Sequence, residues 1–190
     1  MVKRRSFLQT LTAGSLAALI PIRFSTSSAP DTQILTSGRR VALKCLGNVN
    51  GPRWLDGRTA NGTVGLAPKM GVKQFSGTQW QVVRRGDNIV SLKCLGVTDG
   101  PRWLDGRTAN GTVGLAPRTD AQFTGTAWQV LDGENNTVTL KCLGKVEGDR
   151  WLDGRTGNGT VGLAANTNPP FTGTKWEVQS YPVCIDEPCP

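Results

Sequence analysis

The chain has 190 residues, with 22 lysines and arginines, 14 aspartates and glutamates, and no histidine. Four of the cations and none of the acids lie in residues 1–29, which leaves 18 cations against 14 acids in the rest of the chain. Mixed charge of this size argues against a nucleic-acid surface. The length favours one domain with appendages. Without histidine a Ser–His or Cys–His catalytic relay is impossible, so we expect neither an enzyme nor a cofactor.

The first 29 residues have the form of an export signal. A basic end at Lys3-Arg4-Arg5 precedes an apolar run over 11–20 and small residues over 25–29. The run is about half of the roughly 20 residues that span a bilayer, so we expect no membrane anchor. The segment Arg4-Arg5-Ser6-Phe7-Leu8-Gln9 resembles the twin-arginine signal of bacteria, which implies export to the periplasm or beyond. An ordinary secretory signal is the alternative.

Three copies of one motif organise the rest of the chain. GPRWLDGRTANGTVGLAP occupies 51–68, recurs unchanged at 100–117, and recurs with three changes at 148–165. Each copy follows LKCLG and precedes F-[ST]-G-T-x-W. This periodicity of about 48 residues predicts an internally repeated domain. The predicted segments are a polar lead-in at 30–38, a domain at 39–181 with repeats at about 41–88, 89–136 and 137–181, and a tail at 182–190.

Alternating apolar residues predict four short strands in each repeat. In the first repeat these are 41–45, 53–59, 64–67 and 78–83. The Asn61-Gly62 pair is a typical hairpin turn between the second and third strands. The period of two places Leu55 inward and the residues Trp54, Asp56 and Arg58 together on the opposite face. No helix is predicted outside the leader.

The repeat resembles that of a known family. Trp54-Leu55-Asp56, Asn61-Gly62-Thr63-Val64-x-Leu66 and Gly77-Thr78-x-Trp80 resemble the ricin-type β-trefoil repeat in all three copies, and the G-T-x-W ending is also similar to fascin-like trefoils. This resemblance implies an all-β fold, a β-trefoil of twelve strands in which three four-stranded repeats share one core. A six-bladed propeller built from two chains is the alternative. A monomer is compatible with the trefoil.

The resemblance also implies carbohydrate binding through the aspartate of the second strand. A tryptophan ring on the same face can stack on a sugar, while the aspartate accepts from its hydroxyls and the arginine donates to them. The family's usual galactose site is incomplete, because its third-strand ligand positions hold glycine and alanine and threonine replaces the glutamine of Gln-x-Trp. A purely structural face is the alternative. The predicted ligand residues are Trp54, Asp56, Arg58, Trp103, Asp105, Arg107, Trp151, Asp153 and Arg155.

Two functions from different classes remain. The first is a secreted, non-catalytic carbohydrate-binding protein of lectin type, with up to three equivalent shallow sites for a carbohydrate or glycoconjugate. The second is a non-lectin interaction scaffold, either a fascin-like structural protein or a protease inhibitor. The Trp–Asp–Arg face favours the first, and the missing third-strand partners weaken it.

The five cysteines divide into two groups. Cys45, Cys94 and Cys142 occupy equivalent inward strand positions, which predicts three buried thiols. Cys184 and Cys189 close a short segment at the end of the chain, where a local disulfide is expected after export and free thiols are the alternative. No metal site is predicted, because histidine is absent and the remaining cysteines are expected to lie far apart.

Overall fold

The computed structural model describes residues 34–181. The predicted export signal and the Cys184–Cys189 disulfide therefore lie outside the described residues. Leu35, in the predicted polar lead-in, is buried, so that segment contributes to the core. Among residues 34–181, no helix has the length and apolar character needed to cross a membrane.

The described part of the chain is all-β, as the sequence predicts. Twelve antiparallel strands belong to one sheet, and three short 3₁₀ helices lie at Lys73–Thr78, Thr124–Thr126 and Thr172–Thr174. The strands are β1 Arg40–Cys45, β2 Trp54–Arg58, β3 Thr63–Ala67, β4 Trp80–Gly86, β5 Ile89–Cys94, β6 Trp103–Arg107, β7 Thr112–Ala116, β8 Trp128–Asp132, β9 Thr137–Cys142, β10 Trp151–Arg155, β11 Thr160–Ala164 and β12 Trp176–Ser180.

The β-trefoil prediction, with its three four-stranded repeats, is wrong. Ten strands form a closed antiparallel barrel in the order β11-β3-β2-β1-β12-β9-β8-β5-β6-β7, and β7 pairs with β11 to close it. The other two strands lie outside this ring: β4 pairs with β1 and β5, and β10 pairs with β9 and β11. Five of the six motif-hairpin strands (β2, β3, β6, β7 and β11) are thus members of the barrel wall, whereas the trefoil assigns the hairpins to a separate cap.

Glycine explains how the hairpins join the barrel. Thr160 pairs with Gly65, Gly162 with Thr112, and Thr63 with Gly114, so each hairpin is hydrogen-bonded to the other two. A Cβ on Gly65 would lie 3.2 Å from the carbonyl oxygen of Gly159, a close approach that larger residues resist. The alternation of apolar residues contains no information on these pairings between repeats.

The core is formed by the predicted inward face. Leu55 and Trp80 are fully buried, as are their equivalents in the other repeats. The indole Nε1 of Trp80 donates to the Leu55 carbonyl at 3.0 Å, and Trp128 and Trp176 donate in the same way to Leu104 and Leu152. The buried polar edge of each ring is thereby satisfied, as large buried indoles require.

The segment before each core tryptophan differs from its prediction. Thr78, expected to begin a strand, ends a 3₁₀ helix instead, and β4 begins at Trp80. The Thr78 hydroxyl donates to the Phe75 carbonyl at 2.8 Å, and Thr126 does the same to Phe123 at 2.7 Å. Such a local side-chain bond competes with strand pairing and stabilises the turn.

The three motif cysteines are buried, as predicted. Each is inaccessible to solvent, and the Cys94 thiol donates to the Gly57 carbonyl at 3.3 Å. Burial is the main reason that the pKa of Cys94 rises to about 11. These thiols are therefore protonated hydrogen-bond donors within the barrel wall.

Candidate functional site

The structure brings the predicted aspartate and arginine of each repeat together. Each aspartate is almost fully buried on the first strand of its hairpin (β2, β6 or β10), and the arginine two residues later is about half exposed. The distance from the arginine Nε to the aspartate Oδ2 is 3.8 Å for Arg58–Asp56, 3.9 Å for Arg107–Asp105 and 3.7 Å for Arg155–Asp153. The carboxylate thus lies at the base of the site, and the guanidinium lies at its surface.

The other aspartate oxygen faces the 3₁₀ turn. Oδ1 of Asp56 lies 2.6 Å from the place where a Cβ on Gly77 would stand, and Asp153 accepts a hydrogen bond from the backbone of Gly173. Burial raises the pKa of Asp56, Asp105 and Asp153, and the neighbouring arginine opposes part of that rise. In each repeat the aspartate therefore joins its strand to the 3₁₀ turn and positions the arginine.

The arginine occupies the space that a third-strand side chain would need. Asp56 pairs across the hairpin with Gly65, and a Cβ on Gly65 would lie 2.9 Å from Nη2 of Arg58. Arg107 covers Gly114 and Arg155 covers Gly162 in the same way. The glycines at these positions are thus explained by the guanidinium above them as well as by the close approach of the neighbouring hairpin.

The tryptophans of the predicted triads lie elsewhere. Trp54 pairs across strands with Lys44, and the ammonium of Lys44 lies 5.9 Å from the ring centroid. Lys93 lies 5.8 Å from Trp103, and Lys141 lies 5.5 Å from Trp151. These distances are in the range of cation–π contacts. The predicted grouping of Trp, Asp and Arg at one site is therefore only partly formed.

A phenylalanine provides the aromatic surface beside the Asp–Arg pair. A pocket of about 270 Å³ is lined by Asp153, Arg155, Thr156, Phe171 and Val49, among others. A related pocket of about 220 Å³ is lined by Asp105, Arg107, Thr108, Phe123 and Val146, among others. Of the described residues lining these two pockets, none is a tryptophan.

The sequence prediction of site residues does not include Phe75, Phe123 and Phe171. The signal was present, because the phenylalanine of F-[ST]-G-T-x-W recurs in all three copies. Phe123 and Phe171 immediately precede a 3₁₀ helix and Phe75 lies within one, where strand periodicity does not assign a face. The first repeat contains the same groups, with Asp56, Arg58 and Phe75 at the equivalent positions.

A loop from the next repeat closes each site, and these loops differ. The backbone N–H of Asn48, Val97 and Lys145 donates to the hydroxyl of Thr172, Ser76 and Thr124 at 3.3, 3.3 and 3.2 Å. The backbone is held alike in all three, while the side chain at the rim is an amide, an isopropyl group or an ammonium. The sites therefore share one base and have three different rims.

These features describe an all-β barrel protein with recurring surface pockets, each with a buried carboxylate, a half-exposed guanidinium and an aromatic ring. No protein-family model matches the chain, and no curated protein is similar to it at a significant level. Among residues 34–181, no cluster of three or more His, Cys, Asp or Glu side chains could hold a metal ion.

Proposed function

We propose that the protein is a non-catalytic carbohydrate-binding protein that acts outside the cytoplasm and binds polysaccharides through its recurring Asp–Arg–Phe pockets. The observation that carries this proposal is the repeated juxtaposition of a half-exposed arginine and a phenylalanine at the pockets lined by Arg107 and Phe123 and by Arg155 and Phe171.

The chemistry of these pockets suits a sugar unit. The planar guanidinium can donate two parallel hydrogen bonds to adjacent hydroxyls, and the phenylalanine ring offers an apolar surface to the C–H face of the sugar. Volumes of about 270 and 220 Å³ lie just below the usual range for drug-sized ligands, which suits a small unit. The buried aspartate holds the arginine in position, so the arginine is the main polar ligand group.

Repetition of the pocket can raise the apparent affinity for a polymeric ligand even when each pocket binds weakly. A chain that engages two or three of them at once gains roughly 100-fold or more in apparent affinity through effective concentration. A monosaccharide should therefore bind weakly and a polysaccharide strongly. The different rims at Asn48, Val97 and Lys145 further favour a polymer over three identical monovalent ligands.

The test is retention of the full chain on immobilised xylan, galactan, chitin, α-glucan and polygalacturonate. The parent should be retained on at least one of them. A triple variant, Arg58→Lys with Arg107→Lys and Arg155→Lys, should lose retention, because lysine preserves the cation beside the aspartate but lacks the paired donors. A matched triple variant outside the pockets, Arg39→Lys with Arg40→Lys and Arg85→Lys, should be retained like the parent. A parent that passes through the whole panel contradicts the proposal.

A further inference from the structure

The pocket beside Arg155 is one end of a longer groove. It shares the residues Asn48, Phe171 and Thr172 with a neighbouring depression of about 470 Å³. That depression in turn shares Leu46 and Lys175 with a third, also of about 470 Å³. Because adjacent depressions share wall residues, the three adjoin and follow one path over the surface.

The walls of this groove are held in place by bonds between distant parts of the chain. The Leu46 N–H donates to the Lys175 carbonyl at 2.9 Å, at the junction of the second and third depressions. The Thr172 hydroxyl donates to Asn48 Oδ1 at 2.9 Å, at the junction of the first and second. Both junctions therefore join the loop after β1 to the segment before β12, so these two wall segments are hydrogen-bonded to each other.

The groove changes chemistry along its length. Its first end has the Asp153–Arg155 pair, and its middle has Phe171 with the threonines Thr139, Thr167 and Thr174. Its far end has Lys175 together with Glu134 and Glu177. Alternating donors, acceptors and an aromatic ring match a string of hydroxyl-bearing units better than one compact ligand.

Resting on the proposed carbohydrate binding, we infer that this groove takes several consecutive units of a linear polysaccharide, with Phe171 beneath a central unit and Lys175 reached only by longer chains. The ligand class is thus an internal stretch of a linear glycan, and a terminal sugar alone fills only the first end. Two neighbouring depressions of about 470 Å³ each lie within the size range of ligand pockets, so each has room for further units.

The test is calorimetry on the full chain with xylo-, galacto-, chito- and malto-oligosaccharides and oligogalacturonates of one to six units, matched to whichever polysaccharide is retained. Affinity should rise about 100-fold from the monosaccharide to the hexasaccharide, with one tight hexasaccharide site per chain. Lys175→Ala should lower hexasaccharide affinity several-fold and leave monosaccharide affinity unchanged. Gln79→Ala, at the equivalent position of the first repeat, should change neither. Phe171→Ala should weaken hexasaccharide binding more than Phe123→Ala does.

The outcomes separate this inference from the proposed function. If a polysaccharide binds but affinity is flat from one to six units, or Lys175→Ala behaves like Gln79→Ala, the groove is overturned and independent pockets remain. If the parent binds none of the polysaccharides or oligosaccharides, both the groove and the carbohydrate function are overturned.

Discussion

Arg155 Nε lies 3.7 Å from Oδ2 of Asp153, and the same guanidinium lies over Gly162 on the paired strand. The half-exposed guanidinium thus lies between a buried aspartate and the backbone of the neighbouring strand. The relationship recurs in the other two repeats. It connects the folding role of the motif, which joins a strand to a 3₁₀ turn, with its proposed binding role.

The buried aspartates should make stability depend on pH in a defined direction. Their pKa values are raised above 3.8 in the folded state, so their neutral forms are favoured there. Their contribution is therefore fully present below about pH 3.8 and is lost as pH rises through the folded-state pKa values. Relative to a triple Asp→Asn variant at Asp56, Asp105 and Asp153, the free energy of unfolding of the parent should fall over that window. Urea unfolding at a series of pH values measures this difference.

Glu177 provides the control of opposite sign. A hydrogen bond from Gln179, with a smaller contribution from Lys44, lowers its pKa below 4.5. Its stabilising contribution is present above about pH 4.5 and is lost as pH falls through the lowered pKa. The free energy of unfolding of the parent, relative to that of Glu177→Gln, should therefore rise with pH. Relative to that of the triple aspartate variant, it should fall. If both differences changed with pH in the same direction, the opposite pKa shifts given to Glu177 and to the three aspartates would be wrong.

The glycine of each 3₁₀ turn should not tolerate a side chain. A Cβ on Gly125 would collide with the carbonyl oxygen of Gly106 and lie 2.6 Å from Oδ1 of Asp105. Gly125→Ala should therefore lower the free energy of unfolding by about 3 kcal/mol, as overpacking at a rigid backbone contact does. At Gly86 the nearest atom would be Ile89 Cδ1 at 3.9 Å, so Gly86→Ala should change stability by less than about 1 kcal/mol. Equal effects in chemical denaturation would contradict this account of the turn.

The two tryptophans of a repeat should differ in their contribution to stability. Trp80→Phe removes the donor to the buried Leu55 carbonyl and leaves space in the core, so we expect a loss of about 3 kcal/mol. Trp54→Phe affects a partly exposed ring beside Lys44, so the loss should be under about 1 kcal/mol. Equilibrium unfolding of both variants measures the difference, and a reversed order would show that the assignment of core and surface rings is wrong.

The three barrel thiols should be unreactive in the native protein. Their burial, and the pKa of about 11 for Cys94, keep them protonated and shielded at pH 8. In a Cys184→Ser, Cys189→Ser variant, iodoacetamide should label none of them in native buffer and all of them in denaturant. Mass spectrometry gives the number of labelled cysteines. Rapid labelling of the native protein would contradict the described packing.

The local structure was predictable from sequence because it depends on neighbouring residues. Alternation placed Leu55 and Trp80 inside, and Asn61-Gly62 marked a hairpin in which Gly62 has a φ of 72°. The closure of the barrel depends instead on pairings such as Thr160 with Gly65, far apart in sequence and set by backbone approach. Because the alternation of apolar residues does not depend on those pairings, it cannot predict them, and the β-trefoil prediction is wrong.

Only the Asp–Arg part of the candidate site was predictable from the sequence, because only that part depends on neighbouring residues. The aspartate and arginine lie two residues apart on one strand, so their proximity follows from strand geometry. Phe171, which precedes a 3₁₀ helix, and Asn48, from another repeat, line the same pocket as Asp153. Those positions depend on tertiary structure, and Trp151, also two residues from Asp153, pairs with Lys141 instead.

Affinity measurement on two triple variants tests whether the ligand binds at the Asp–Arg–Phe pockets. Both carry three aromatic→Ala changes: one at Phe75, Phe123 and Phe171, the other at Trp54, Trp103 and Trp151. With a polysaccharide that retains the parent, and with circular dichroism to check the fold, the phenylalanine variant should lose at least about 100-fold in affinity and the tryptophan variant less than about threefold. A folded phenylalanine variant that binds like the parent, or a loss confined to the tryptophan variant, would contradict binding at the Asp–Arg–Phe pockets.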